Sequence, residues 1–301
     1  DIRVVLTRHE QAAVHAADGY ARVTGKVGVC IATSGPGATN TVTGLATARF
    51  DSVPLVCITG QVSREMIGND AFQEADTVGI TQPVTKHNYL VGRREALAEI
   101  HIDGRASGMA LAETLRKSFF LAANGRPGPI VVDVPKDVQN EGYEDSYPEE
   151  VLIRGYKPVG KADPKFLQAL AEALRKAERP LFFVGGGVVI ANATQRFRRL
   201  FSATGVPVVT SLMGIGVVDS RHPLNLGMLG MHGSITANKA LTACDLLVGL
   251  GVRFDDRATG ETRRFAPSAI KVHVDIDPSS IGRNIGVDIP IVGDLRHVLE
   301  D

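Results

Sequence analysis

The chain has 301 residues, enough for two domains of ordinary size. Hydrophobic residues make up 44% and charged residues 22%, which excludes a chain that is mainly disordered. Lys and Arg number 33, as do Asp and Glu. The zero formal charge excludes a global electrostatic grip on nucleic acid or anionic lipid, and no apolar stretch reaches the length of a membrane span. The three cysteines, Cys30, Cys57 and Cys244, are widely spaced and form no C-x-x-C pair, so they read as buried free thiols of a reducing compartment, cytoplasmic or organellar.

Residues 2–7 (IRVVLT) are β-branched and predict a strand, and 10–24 is Ala-rich with apolar positions at helical spacing. The continuous apolar run 27–33 (VGVCIAT) predicts a buried strand, and the turn 34–37 (SGPG) leads into a predicted helix over 38–49. Buried strands are also expected at 54–60 and 129–135, with a mostly helical stretch at 96–123 between them. Acidic and polar residues at 141–150, then Pro158 and Pro164, mark 141–163 as a linker between domains over 1–140 and 164–301. The alternation then restarts. A helix over 164–177 opens with Asp163 as its cap. Strands follow at 181–184, 206–210, 245–251 and 270–276, with helices at 234–243 and 294–299. The fold class is therefore α/β, with two doubly wound parallel-sheet domains.

Familiar motifs are absent. His9-Glu10 begins like the zinc motif H-E-x-x-H, but position 13 is Ala; Gly25-Lys26 is followed by Val27, not Ser or Thr; and no G-x-S-x-G occurs. The glycines at 185–187 and at 249 and 251 follow strands but lack the third glycine of a dinucleotide fingerprint. No metal-ligand set is assigned. Three strand exits remain as candidates, because ligands of open parallel sheets bind beyond the carboxyl ends of the strands. Glu10 opens a helix after the 7–10 exit and is either a functional carboxylate or an ordinary helix-terminal charge. The 33–40 segment holds Gly35 and Gly37 ahead of a helix, and is either a ligand-approach loop or a tight turn. The 227–233, 251–257 and 275–278 segments offer His232, Arg253 and Arg257, Asp275 and Asp277. They suit a ribose and a diphosphate, or are surface charges and a turn.

Taken together, RHEQAAVHAADGYARVTGKVGVCIATSGPGATN (8–40), DSVPLVCITGQV (51–62), IGNDAFQEAD (67–76), TKHNYLV (85–91), GRPGPIVVDVPKD (125–137), GMLGMHG (227–233), VRFDDRATG (252–260) and DIDP (275–278) resemble the acetolactate synthase catalytic subunits of the thiamine-diphosphate enzyme superfamily. The resemblance covers nearly the whole chain. It implies that pyruvate is decarboxylated and its two-carbon unit joined to a second 2-keto acid, pyruvate or 2-ketobutyrate, in branched-chain amino acid biosynthesis. It implies thiamine diphosphate, FAD and Mg²⁺ as cofactors, a homodimer or tetramer, and a regulatory small subunit as partner. Glu10 and Gln73 are the implied catalytic residues, with Glu10 contacting the aminopyrimidine ring. Pro36 and Asn40 join them around thiamine diphosphate. Phe72, Lys136 and Arg253 face substrate. Arg126, His232, Gly233, Arg253, Asp275, Asp277 and Asp294 hold FAD.

In the family, a helix and a Gly-x-Pro-Gly loop precede the region matched here, and a further domain with a Gly-Asp-Gly…Asn signature for Mg²⁺ follows it. The chain is thus expected to be a partial one, with its Mg²⁺ ligands elsewhere and little activity alone. The stretch 101–114 (HIDGRASGMALAET) reads as an insertion. Two alternatives stay open: a related superfamily enzyme, such as a sulfoacetaldehyde acetyltransferase or pyruvate oxidase, and a non-catalytic binding module.

Overall fold

Continuous apolar strands need cover on both faces, and helices supply it for the inner strands of each of two parallel sheets. The computed structural model describes residues 2–92, 107–142 and 147–300. The chain divides into two units, Asp1–Tyr156 and Lys157–Asp301.

In the first unit, β1 (Gly28–Ala32), β2 (Leu55–Gln61), β3 (His87–Leu90) and β4 (Pro129–Pro135) form an all-parallel sheet in the order β1-β2-β4-β3. Successive strand residues point to opposite faces. Leu55, Cys57 and Val131 therefore pack with Val14, Ala17, Leu45 and Ala48 of helices α1 (Glu10–Thr24) and α3 (Val42–Asp51). Val56, Ile130 and Val132 face the other way, onto Leu121 and Ala122 of α5 (Ser107–Ala123). Each fully buried aliphatic side chain contributes about 1.5–3 kcal/mol. The short helices α2 (Pro36–Thr39), α4 (Thr77–Thr81) and α6 (Lys136–Asn140) sit at the rim. Arg22 of α1 bonds both Asp18 and Asp51, tying α1 to the end of α3.

In the second unit, six parallel strands run in the order β10-β9-β8-β5-β6-β7. They are β5 (Pro180–Val184), β6 (Val208–Thr210), β7 (Asn225–Met228), β8 (Leu246–Leu250), β9 (Ile270–Asp275) and β10 (Ile289–Val292). Phe182, Val184, Val248 and Val274 pack one face against Phe197 and Phe201 of α9 (Thr194–Thr204) and partly buried Leu167 and Leu170 of α7 (Pro164–Lys176). Leu181, Phe183 and Leu247 pack the other against Ala237 and Leu241 of α10 (Ile235–Ala243). Asp163 caps α7 by accepting from the Lys165 N–H at 2.9 Å. The remaining helices are α8 (Gly186–Ile190), α11 (Asp256–Thr259) and α12 (Leu295–Val298). No described helix is long and apolar enough to cross a membrane.

Three local expectations are corrected. Residues 2–7 form no strand: no described strand pairs with them, and Ile2, Val4, Val5 and Leu6 are exposed. A β-branched sequence alone does not hold a strand without a ladder partner. β1 is an edge strand buried on one face only; Val29 and Ile31 point into solvent. The helix expected over 38–49 is two helices: at Thr41 both the backbone N–H, at 3.1 Å, and the hydroxyl, at 2.6 Å, donate to the Ala38 carbonyl, so the ladder tightens to an i−3 bond there. The expected helical stretch 96–106 and the first part of the 101–114 insertion lie outside the described residues; 107–114 begins α5.

Candidate active site

In the first unit the carboxyl ends of β1, β2 and β4 carry the candidate residues. His9 caps α1, its Nδ1 accepting from the Gln11 N–H at 3.1 Å, and this sets Glu10 at the first helical position. The Glu10 Oε2 accepts from the Asn40 Nδ2 at 3.0 Å. That bond, from the end of the glycine turn after β1, holds the carboxyl below its usual range. Glu10 is thus an ionised, part-exposed carboxylate aimed at the turn; its Oε1 lies 3.5 Å from where a Cβ on Gly37 would stand.

Gly35 is the pivot. Its φ is 60°, and a Cβ there would lie 2.6 Å from the Gln73 carbonyl oxygen. The 71–76 loop therefore rests its backbone on the turn, and Gln73 itself takes a left-handed φ of 61°. The loop holds its own shape through Glu74, whose carboxylate accepts from the Gly68 and Ala71 N–H groups. Phe72 projects from it, 88% exposed. Lys136 follows β4 and is exposed at the start of α6, where Asp137 pairs with Arg64 at the exit of β2. Glu10, Pro36, Asn40, Phe72, Gln73 and Lys136 so share one rim. Arg126 does not: it precedes β4, donates to the Ser52 hydroxyl at 2.9 Å, and lies at the amino ends of the strands.

In the second unit the strand order reverses between β5 and β8, from which the chain winds outward on either side. Ligands of such sheets bind at this switch point. The strand exits there are glycines packed on one another: a Cβ on Gly187 would lie 2.6 Å from the Gly251 Cα. The flanking exits carry exposed Leu212, Met213 and Met231. His232 and Gly233 lie on the β7 exit, which is joined to the 253–257 loop by the Met231 N–H donating to the Arg257 carbonyl at 2.8 Å. Arg253 has its guanidinium 4.0 Å from Asp255. Asp275 accepts from the Asp277 N–H at 2.9 Å; Asp277 accepts from the Ser279 N–H and hydroxyl; Asp294 caps α12 and pairs with Arg296. Behind this rim, buried His273 donates from Nε2 to the Val252 carbonyl at 2.8 Å, and burial lowers its pKa to about 4. Its Nδ1 is buried with no hydrogen-bond partner.

Two buried polar residues of the first unit were missed in the sequence, Gln61 and Asp133. A carboxylate inside the apolar run PIVVDVP was the available signal for the second, since an isolated charge is not buried without partners.

Two family descriptions match the chain: the N-terminal TPP binding domain of thiamine pyrophosphate enzymes over residues 1–80, and their central domain over 167–301. The acetolactate synthase large subunit of Corynebacterium glutamicum is 50% identical over 298 residues, covering 99% of this chain and 45% of the relative. The large subunit of Haemophilus influenzae is 47% identical over 302 residues, covering 100% and 50%. An acetolactate synthase of Mycobacterium avium is 49% identical over 300 residues, covering 100% and 46%. The chain spans about half the length of the curated relatives it matches.

Proposed function

The chain belongs to the thiamine pyrophosphate enzymes, and from that premise we propose that it serves in an acetolactate synthase large subunit, a transferase that decarboxylates pyruvate and joins the two-carbon unit to pyruvate or 2-ketobutyrate. The observation that carries this reading is the ionised Glu10 carboxylate, bonded to Asn40 over a glycine turn on which Gln73 rests. The first unit fits the pyrimidine side of thiamine diphosphate. Gly35 and Gly37 let the backbone of the turn lie close to its neighbours, and the ionised Glu10 carboxylate is an acceptor beside it. When bound, that cofactor supplies an electron sink for decarboxylation and carbon–carbon bond formation.

The residues of this chain do the rest. The ionised Glu10 carboxylate would accept a hydrogen bond from a ring N–H of the group it faces and so favour the tautomer that carries this hydrogen. Pro36 and Asn40 wall the turn. Phe72 offers an apolar ring to a keto acid, and the Gln73 carboxamide offers a donor and an acceptor. Lys136 and Arg253 supply cationic groups for the carboxylate of a substrate. The domain limits 1–140 and 164–301 remain part of this reading.

FAD suits the second unit: the glycine exits at the switch point let a ligand approach the backbone beside exposed Met213 and Met231, while Arg253, His232, Gly233, Asp275, Asp277 and Asp294 line the strand ends of the same sheet. Arg126 belongs to that proposal as well. The described residues hold no group of three or more His, Cys, Asp or Glu able to bind a metal, so Mg²⁺ is not assigned to any of them. A homodimer or tetramer, a small regulatory subunit and the branched-chain pathway complete the proposal.

The test is acetolactate formation from pyruvate by the protein as its gene encodes it, with thiamine diphosphate, Mg²⁺ and FAD supplied. Glu10→Gln keeps the shape and removes the charge, and activity is expected to fall about 10²–10⁴-fold. Near-full activity in that variant would remove Glu10 from the mechanism.

A further inference from the structure

The Asp133 carboxyl takes no part in the chemistry above, yet it is 1% exposed in the central strand β4. Burying it unpartnered would be costly. Its Oδ1 accepts from the Thr59 hydroxyl at 2.7 Å and its Oδ2 from the Gln61 Nε2 at 2.9 Å. The same Gln61 nitrogen also donates to the Ala75 carbonyl at 2.8 Å, and the Gln61 Oε1 accepts from the Val62 N–H at 2.9 Å. Both N–H bonds of one carboxamide are thus spent. One goes to a buried acid of the sheet; the other goes to the loop that presents Phe72 and Gln73.

That loop needs an anchor. Gln73 has a left-handed backbone, which is strained outside glycine, and such geometry persists only where neighbours over-determine it. Glu74 ties the loop to the adjoining Gly68 and to its own Ala71, Asp76 caps α4 by accepting from the Gly79 N–H, and the Gly35 contact is backbone packing without a hydrogen bond. Gln61 is the side chain that reaches it from the sheet. Without Asp133, Gln61 would lose the one charged partner among the three groups that fix its carboxamide.

We propose that Asp133 is a positioning residue which, through the Gln61 carboxamide, latches the 71–76 loop and so holds Gln73 against the Gly35 turn, with Phe72 presented beside it. The inference rests on the reading of Phe72 and Gln73 as site residues, but the latch itself is a property of the chain without ligand.

Hydrogen–deuterium exchange of the full chain, with no cofactor added, tests it on peptides spanning 67–76. Gln61→Met and Asp133→Leu break the tie and should speed exchange there about threefold to tenfold, the scale set by losing one neutral hydrogen bond. Asp133→Asn should rescue it: the Asn oxygen still accepts from Gln61, and its nitrogen donates to the Thr59 hydroxyl, which rotates to accept. Thr59→Val removes a bond from Asp133 without touching the tie, so it should leave the loop unchanged. Where Asp133→Leu does not fold, Gln61→Met carries the test. The proposal is overturned by unchanged exchange in Gln61→Met, by equal loosening in Thr59→Val, or by a rise spread evenly over the first unit. Should the latch hold while Gln73→Ala keeps full acetolactate formation, the site assignment fails and the latch stands.

Discussion

Gly35 meets two independent demands at one position, a left-handed φ and a contact with no room for a methyl group. Gly35→Ala must therefore move either the turn or the 71–76 loop. The left-handed backbone alone costs about 1–2 kcal/mol, and the clash with the Gln73 carbonyl is against backbone, which yields less readily than a flexible side chain. The expected result is a lower midpoint for thermal unfolding of the first unit together with weaker Glu10-dependent activity. An unchanged midpoint would mean that the turn relaxes freely and that Gly35 does not set the rim. Glu10 differs in kind: it is part-exposed and contributes through its ionised state, so its loss should be read in turnover and not in stability.

Among the elements, the strand exits decide where chemistry can occur. β5 and β8 leave the second sheet at its switch point with Gly187 against Gly251, so Gly187→Ala places a methyl group 2.6 Å from the Gly251 Cα. Overpacking of this type costs about 1–3 kcal/mol. The second unit should unfold at lower urea while the first keeps its midpoint, and flavin added to the variant should be held less well than by the parent chain. Equal flavin retention would place that ligand away from the switch point.

These same elements show what the sequence discloses. Apolar runs such as PIVVDVP and PLVCITG are continuous because both faces are covered, and the observed β4 matches the run residue for residue. The short strands β3, β7 and β10 were not legible. HNYL and NLGM are half-buried segments of four residues whose strand character comes from a neighbour already in place. Glu10, the glycine turn and the Phe72–Gln73 segment were visible as separate strings. Their meeting was not, since Glu10 and Asn40 are joined only once α1 and the turn after β1 fold against each other. The Asp133–Gln61–Ala75 tie was invisible for the same reason, being made of residues 14 to 72 positions apart.

At the scale of the whole molecule, each unit buries a group whose charged form burial disfavours, Asp133 in the first and His273 in the second, and the two respond to pH in opposite senses. Burial raises the Asp133 pKa from 3.8 to about 6, against the hydrogen bonds from Thr59 and Gln61, which lower it. The folded first unit therefore holds a proton that the unfolded chain has released. This contribution to stability is complete below pH 3.8 and is lost as pH rises through about 6. Burial lowers the His273 pKa from 6.5 to about 4, so the folded second unit excludes a proton that the unfolded chain accepts. Its contribution is complete above pH 6.5 and is lost as pH falls through about 4. With both side chains 1% exposed, each swing is about 3 kcal/mol in order of magnitude. Carboxylates held low, such as Asp137 in the first unit and Asp245 and Asp294 in the second, add acid sensitivity to both, so the two buried groups must be isolated by difference. His273→Gln keeps a donor for the Val252 carbonyl without titrating; Asp133→Asn keeps the latch without titrating. Urea unfolding, followed unit by unit by hydrogen exchange from pH 7 to pH 4, should show the second unit of His273→Gln losing less stability than the parent. The first unit of Asp133→Asn should lose more than the parent, because it no longer gains from protonation. Parallel pH curves for parent and variant in either unit would mean that the buried group there titrates alike folded and unfolded, and that its burial does not set the acid response of that unit.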